Sequence, residues 1–293
     1  MEKLVDLIRE ALQLPDAKIE NIQTTGGMTN LNYLVTIDST NFIVRIPGNG
    51  TEEFIDRRIE KENLEYASSL GINPALRYFN LENGLKITKK IVNASTLTPE
   101  IASEEKMLIK VADVFRTVHN SNRKMSNRFE LFEMMANFEK LALEAGAELF
   151  NGFDEVKSEV ISLQAYFNNQ NIVETPCHID PACSNFIMSD EEDKVYLIDW
   201  EYSGMFDPMW DIAAHALGAK LSETEEAFFV RQYFQREATV SEKERMLLHK
   251  IFQDYLWSLW TLFKEEIGDD FGSYGKNCFE RAKKNIDVFN QAK

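Results

Sequence analysis

Residues 177–200 read CHIDPACSNFIMSDEEDKVYLIDW, and this stretch decides the fold. His178 and Asp180 stand one residue apart, Asn185 follows Asp180 by five, and Asp199 ends the apolar run Tyr196-Leu197-Ile198. That order and spacing suit a loop that works on phosphoryl groups. A carboxylate such as Asp180 accepts the proton of an attacking hydroxyl. An amide oxygen (Asn185) and a second carboxylate (Asp199) are hard ligands that hold a divalent cation against phosphates. An apolar strand that stops on Asp199 exposes its carboxylate at a cleft edge. His178 is assigned to positioning the loop by hydrogen bonds, with no part in proton transfer.

The continuation supports this reading. Asp207-Pro208 is a helix start, with Asp as N-cap and Pro at the first helical position, so Asp207 needs no further role. Asp211 then falls one turn into an apolar helix beside Trp210, Ile212 and Ala213. A carboxylate on such a face needs donors. The backbone of the 178–180 loop can supply them, which makes Asp211 a support of that loop.

Outward from this core, the chain divides. Met1–Leu14 has apolar residues at helical spacing, and Pro15 ends the pattern. Residues 19–24, 31–37 and 41–46 read as strands, and 51–70 as one charged helix closed by Gly71. A hairpin is expected over 75–79 and 84–87. Beyond Asn93, helices are expected over 98–120, 128–145, 154–168, 208–220, 223–235, 241–266 and 274–291. Short strands at 174–177, 185–188 and 195–198 flank the phosphoryl loop. The expected fold is α+β and two-lobed: a β-rich nucleotide-binding lobe (1–92) with one long helix, then a helical lobe (93–293) with the loop and a substrate pocket. The hinge falls near Lys90–Asn93.

Composition narrows the partners. The 293 residues carry 48 acidic and 32 basic side chains, a net charge of −16, which argues against nucleic acid or an anionic membrane surface. No run approaches the roughly 18 apolar residues of a membrane span. Cys177, Cys183 and Cys278 lack metal or disulfide spacing and read as reduced thiols of a cytoplasmic protein.

Three further features bear on binding. Gly26-Gly27-Met28-Thr29-Asn30 links the first two strands. Alone it is a hairpin turn. Beside a metal–phosphate constellation, Gly26, Gly27, Thr29, Asn30 and Asn32 become a phosphate cover whose backbone N–H groups approach phosphate oxygens. The third strand, Phe42-Ile43-Val44-Arg45-Ile46, sets one cation among apolar residues where a protein kinase has Lys. Arg45 can pair phosphates and a helix carboxylate, with Glu60 the first choice of partner and Glu62 the second. Trp257 and Trp260 lie three apart on one helix face, with Tyr274 downstream. They are either core or an aromatic cage for a quaternary ammonium.

The blocks GGMTNLNYLV (26–35), LKITKKI (85–91), HIDPACSNFI (178–187), YLIDWEYSGMFDPMWDIA (196–213), LWSLWTLFKEE (256–266) and DFGSYGKN (270–277) together resemble the choline/ethanolamine kinase family. The likeness is closest to its bacterial LicA-type choline kinases and extends to the aminoglycoside phosphotransferases, which share a protein-kinase-like fold. The resemblance implies transfer of the ATP γ-phosphoryl group to choline, with Mg²⁺ as cofactor. It makes Asp180 the base, Asn185 and Asp199 the Mg²⁺ ligands, and Arg45 with Glu60 the nucleotide-lobe ion pair. Lys89 and Ile91 fall where the hinge backbone meets adenine. Glu201, Trp257, Trp260 and Tyr274 fall where the family binds its small cationic amino alcohol.

One departure concerns the acceptor. The family often has an acidic residue near the ammonium where this chain has Gly218. Ethanolamine or another amino alcohol therefore stays open beside choline; separate alternatives are an aminoglycoside kinase and a nucleotide-binding pseudokinase, the latter favoured only by Arg45 in place of Lys. His215 and His119 are read as packing residues.

Overall fold

The computed structural model describes residues 2–25 and 30–292 of the chain. Apolar periodicity builds its first helix, α1 (Glu2–Leu12), and alternating residues build a five-stranded sheet. The sheet contains β1 (Ile19–Thr25), β2 (Leu31–Ile37), β3 (Thr40–Ile46), β4 (Leu76–Phe79) and β5 (Lys86–Lys89), in the order β1-β2-β3-β5-β4. All neighbours are antiparallel. Side chains alternate across a strand. Val35 and Ile37, Val44, Leu85 and Ile87 thus form one buried face with Ile8 and Ala17. Across the β3–β5 pair, Arg45 stands opposite Lys86, and both are buried.

The remaining elements of this part are α2 (Arg57–Ser69), which follows a 3₁₀ turn at Thr51–Glu53, and β6 (Ala94–Thr96). The expected continuous helix over 51–70 is therefore shorter. Asp56 caps α2 by accepting from the N–H groups of Arg58 and Ile59, so the helix starts at Arg57. β6 went unpredicted; it is short, exposed and defined only by its pairing with residues 187–189.

The helical part opens with α3 (Pro99–Ala102) and α4 (Glu105–His119), where one helix over 98–120 was expected. Thr98 caps α3, and a break at Ser103-Glu104 separates the two. There follow α5 (Leu131–Ala145), α6 (Phe153–Asn168) and β7 (Thr175–Cys177). The chain then forms β8 (Phe186–Ser189), β9 (Lys194–Leu197) and β10 (Gly204–Phe206). Four helices complete it: α7 (Met209–Gly218), α8 (Glu223–Phe234), α9 (Val240–Glu266) and α10 (Tyr274–Gln291). β10, also unpredicted, pairs antiparallel with β7. α9 is buried almost all round and packs on α5, α7 and α10. Gly275 admits the close approach of α10, since a Cβ there would lie 2.8 Å from the Thr261 side chain.

By contacts the chain forms two compact units, Met1–Thr96 with Asn185–Tyr202, and Leu97–Ser184 with Ser203–Lys293. The β8–β9 hairpin thus belongs to the first unit. No helix among the described residues is long and apolar enough to cross a membrane.

Candidate active site

In the first unit, β8 and β9 pair antiparallel with Phe186 opposite Leu197. Asn185 enters β8 and Asp199 follows β9, so both leave the same end of one hairpin. The Ile198 N–H donates to the Asn185 carbonyl at 2.9 Å and ties the two strand ends together. Fully buried Trp200 donates its indole N–H to the Leu197 carbonyl at 2.8 Å. Asp199 itself has φ 70°, a left-handed conformation that Asp tolerates better than most residues.

Around Asp199 lies a cluster of three carboxylates and three cations. Arg45 Nη2 pairs with Glu60, and Nη1 donates to Asp199 Oδ1 at 2.6 Å and to Glu201 Oε2 at 3.1 Å. Of the two helix carboxylates considered for Arg45, Glu60 is the one in contact. Arg57 reaches Glu60 at 2.8 Å, Thr51 Oγ1 at 2.6 Å and Glu201 at 3.6 Å. Lys86 Nζ lies 3.3 Å from Asp199 Oδ1 and 3.8 Å from Glu60 Oε1. Asn30 donates to Asp199 Oδ2 at 3.3 Å while its own Oδ1 accepts from the Gly48 N–H at 3.2 Å. Asn32 donates to the Asn30 carbonyl at 3.4 Å.

The electrostatics follow from burial. Desolvation works against the charge on Arg45, but Glu60, Asp199 and Glu201 outweigh it and hold the guanidinium above its ordinary pKa. Burial, then repulsion from Asp199, pushes Glu201 up to about 7 against the pull of Arg45. Carboxylate oxygens of Glu60, Asp199 and Glu201 all lie within 4.8 Å of one another. With the Asn185 amide at the same hairpin end, this all-oxygen set fits a hard divalent cation and not a thiolate-seeking one.

Lys86 and Arg57 were missed from sequence. The signal for Lys86 was present: in Leu85-Lys86-Ile87-Thr88 it alternates out of the core, opposite Arg45. Lys89 is exposed at the end of β5, and half-buried Ile91 lies just beyond. The expectation for Gly26, Gly27 and Thr29 falls outside the described residues.

In the second unit, fully buried Asp211 is the hub of the loop that carries Asp180. Its Oδ2 accepts from the His178 N–H at 2.7 Å and its Oδ1 from the Ile179 N–H at 2.8 Å. Trp210 Nε1 donates to the Ile179 carbonyl at 2.7 Å. These bonds hold Ile179 at φ 75°, which is strained for a β-branched residue. His119 Nε2 contacts Asp211 Oδ2 at 3.0 Å, and its Nδ1 contacts the Tyr233 hydroxyl at 2.9 Å. A carboxylate accepts, so Nε2 donates to Asp211, and Nδ1 shares a hydrogen bond with the Tyr233 hydroxyl. Burial, then neighbouring negative charge, keeps that phenol protonated. His119 therefore packs in the core and also holds Asp211.

The aromatic residues gather on α9 and the segment before α10. Trp257 and Trp260 meet edge to face at 6.0 Å between centroids, and Phe271, not singled out from sequence, packs on Trp260 at 4.9 Å. Trp260 is buried, with no hydrogen-bond partner for its indole N–H among the described residues. Tyr274 is 40% exposed as a residue, yet local desolvation, then Cys278 and Asp180, hold its phenol above its ordinary pKa. Gly218 backs onto the same loop: a Cβ there would lie 3.8 Å from the Ala182 backbone. Glu201, expected beside the acceptor, makes its ion pairs with Arg45 and Arg57.

Known proteins resemble this chain in sequence and fold. The profile of the choline/ethanolamine kinase family matches residues 21–283. The protein LicA of Haemophilus influenzae is 32% identical over 271 residues, covering 88% of this chain and 78% of that protein. The solved structure of choline kinase LicA from Streptococcus pneumoniae is 35% identical, covers 98% of this chain and 99% of its own, and gives a TM-score of 0.86. A LicA structure in complex with AMP matches with the same TM-score and identity over 98% of both chains. Aminoglycoside 2′-phosphotransferase-IIIa, at 12% identity over 98% of this chain and 99% of its own, shares the fold with a TM-score of 0.66.

Proposed function

The chain belongs to the choline/ethanolamine kinase family, and on that premise we propose that it is a choline kinase, converting ATP and choline to ADP and phosphocholine. The observation that carries the acceptor is the mutual match over nearly the full length of both chains to a choline kinase. The lobes we assign are 1–92 for nucleotide and 93–293 for catalysis and acceptor, with adenine at Lys89 and Ile91 and phosphates under Gly26, Gly27, Thr29, Asn30 and Asn32.

In the proposed reaction, Asp180 accepts the choline hydroxyl proton as its oxygen bonds to the γ-phosphorus and the bond to ADP breaks. Asp211 holds the strained backbone just before Asp180. Arg45 and Glu60 brace the nucleotide lobe beside Asp199. Family membership implies a divalent ion, and Mg²⁺ is our assignment, held by Asn185 and Asp199. When bound it supplies charge neutralisation at the phosphates. Trp257, Trp260, Tyr274 and Glu201 are assigned to the ammonium end. A cytoplasmic location suits three free, buried cysteines and a supply of ATP.

Gly218 beside the Asp180 loop favours keeping ethanolamine as the second acceptor. An ADP-release assay with choline, ethanolamine and an aminoglycoside separates the readings. Choline is expected to have the highest kcat/KM. Preference for either other compound transfers the assignment to it, and no turnover with any revives the pseudokinase reading.

A further inference from the structure

The cations around Asp199 are not equally committed. Arg45 is fixed by three carboxylates, with two of its contacts at 2.6 and 3.1 Å. Arg57 is held by Glu60 at 2.8 Å and by Thr51 at 2.6 Å. Lys86 meets only two carboxylate oxygens among the described residues, at 3.3 and 3.8 Å. The first lies beyond the usual length of a charge-assisted bond, and the second is an ion-pair contact only. Lys86 is nonetheless more than nine-tenths buried, directly opposite Arg45 in the sheet. Like charges opposite each other in a sheet are unfavourable, and burying an ammonium costs more still. Such a pair needs anions close by; here they are the carboxylates of Glu60 and Asp199, and Asp199 is the one assigned to the divalent ion.

We propose that Lys86 is the cation that contacts the terminal phosphates of the bound nucleotide, while Arg45 stays with its carboxylates as a positioning residue. A polyphosphate arriving at Asp199 meets three carboxylates, so a cation must be able to turn from them toward it. Lys86 has the weakest hold of the three and a single compact ammonium with three rotatable donors. It swings from Asp199 to the phosphate, which also frees Asp199 for the divalent ion.

This inference rests on the nucleotide-kinase reading above, and binding without metal tests it separately. The full chain in EDTA is titrated calorimetrically with ADP and with adenosine. Wild type is expected to bind ADP more tightly than adenosine. Lys86→Met is expected to weaken ADP at least about tenfold, or ~1.4 kcal/mol, and to leave adenosine unchanged. Lys86→Arg, which keeps the charge, is expected to restore most of the difference. ADP affinity within twofold of wild type in Lys86→Met overturns the role of Lys86 while leaving the kinase reading intact. Wild type that binds neither ligand overturns the kinase reading itself. Should Lys86→Met melt early and lose adenosine, Lys86→Gln is read by the same ADP-to-adenosine ratio.

Discussion

Replacing Asp211 with asparagine is expected to disable catalysis without touching the nucleotide lobe. The carboxylate accepts from the His178 and Ile179 N–H groups at 2.7 and 2.8 Å and from His119 Nε2 at 3.0 Å. An amide keeps one acceptor oxygen and turns an NH₂ group toward another donor. A hydrogen bond to a buried charge contributes about 1.5–3 kcal/mol, so losing one and weakening the others costs roughly 2–4 kcal/mol. That matches the ~1–3 kcal/mol of backbone strain at Ile179, which then relaxes from φ 75° and carries Asp180 with it. A misplacement of about 1 Å at a reacting group costs on the order of 10²-fold in rate. Steady-state ADP release should thus show kcat reduced about a hundredfold. ADP affinity, measured by calorimetry, should stay at the wild-type value, because the residues proposed to bind the nucleotide lie in the other unit. A kcat within threefold of wild type in a folded Asp211→Asn protein would refute the reasoning.

Two further outcomes are expected. Trp257→Ala should raise the choline KM about tenfold with little change in kcat, the scale of a desolvated cation–π contact; an unchanged KM returns that ring to packing. Burial, against one hydrogen bond to the Pro181 backbone, lowers the pKa of fully buried His215 to about 4. The unfolded chain takes up this proton first, so the contribution is present above about pH 6.5 and lost as pH falls toward 4. Relative to wild type, His215→Leu should gain on the order of 3 kcal/mol in denaturant-measured stability between pH 7 and 4. Parallel stability profiles would contradict this.

Legibility tracked where the physics is local. Strands over 31–37 and 41–46 and helices over 223–235 and 274–291 are visible because period and caps coincide there; Ser222, for instance, forms a complete capping box with Glu225. β6 and β10 are three residues each and exist through partners far along the chain, Ile187–Ser189 and Thr175–Cys177, which no local pattern announces. The same division runs through the site. Asp180, Asn185 and Asp199 stand out through spacing, and Asp211 through its apolar neighbours. Lys86 and Arg57 carry no motif. Their part depends on sheet register and on the turn of α2 that brings Glu60 between them. His119 likewise gains meaning only when α4 brings it to Asp211.

The central claim is tested most directly by ³¹P NMR of the wild-type chain with ATP, Mg²⁺ and choline, run beside Asp180→Ala. A phosphocholine resonance should grow as the γ-phosphate signal of ATP falls, and Asp180→Ala should show neither change while still binding ATP. Conversion of ATP without a phosphocholine signal, or equal product from Asp180→Ala, would contradict the account.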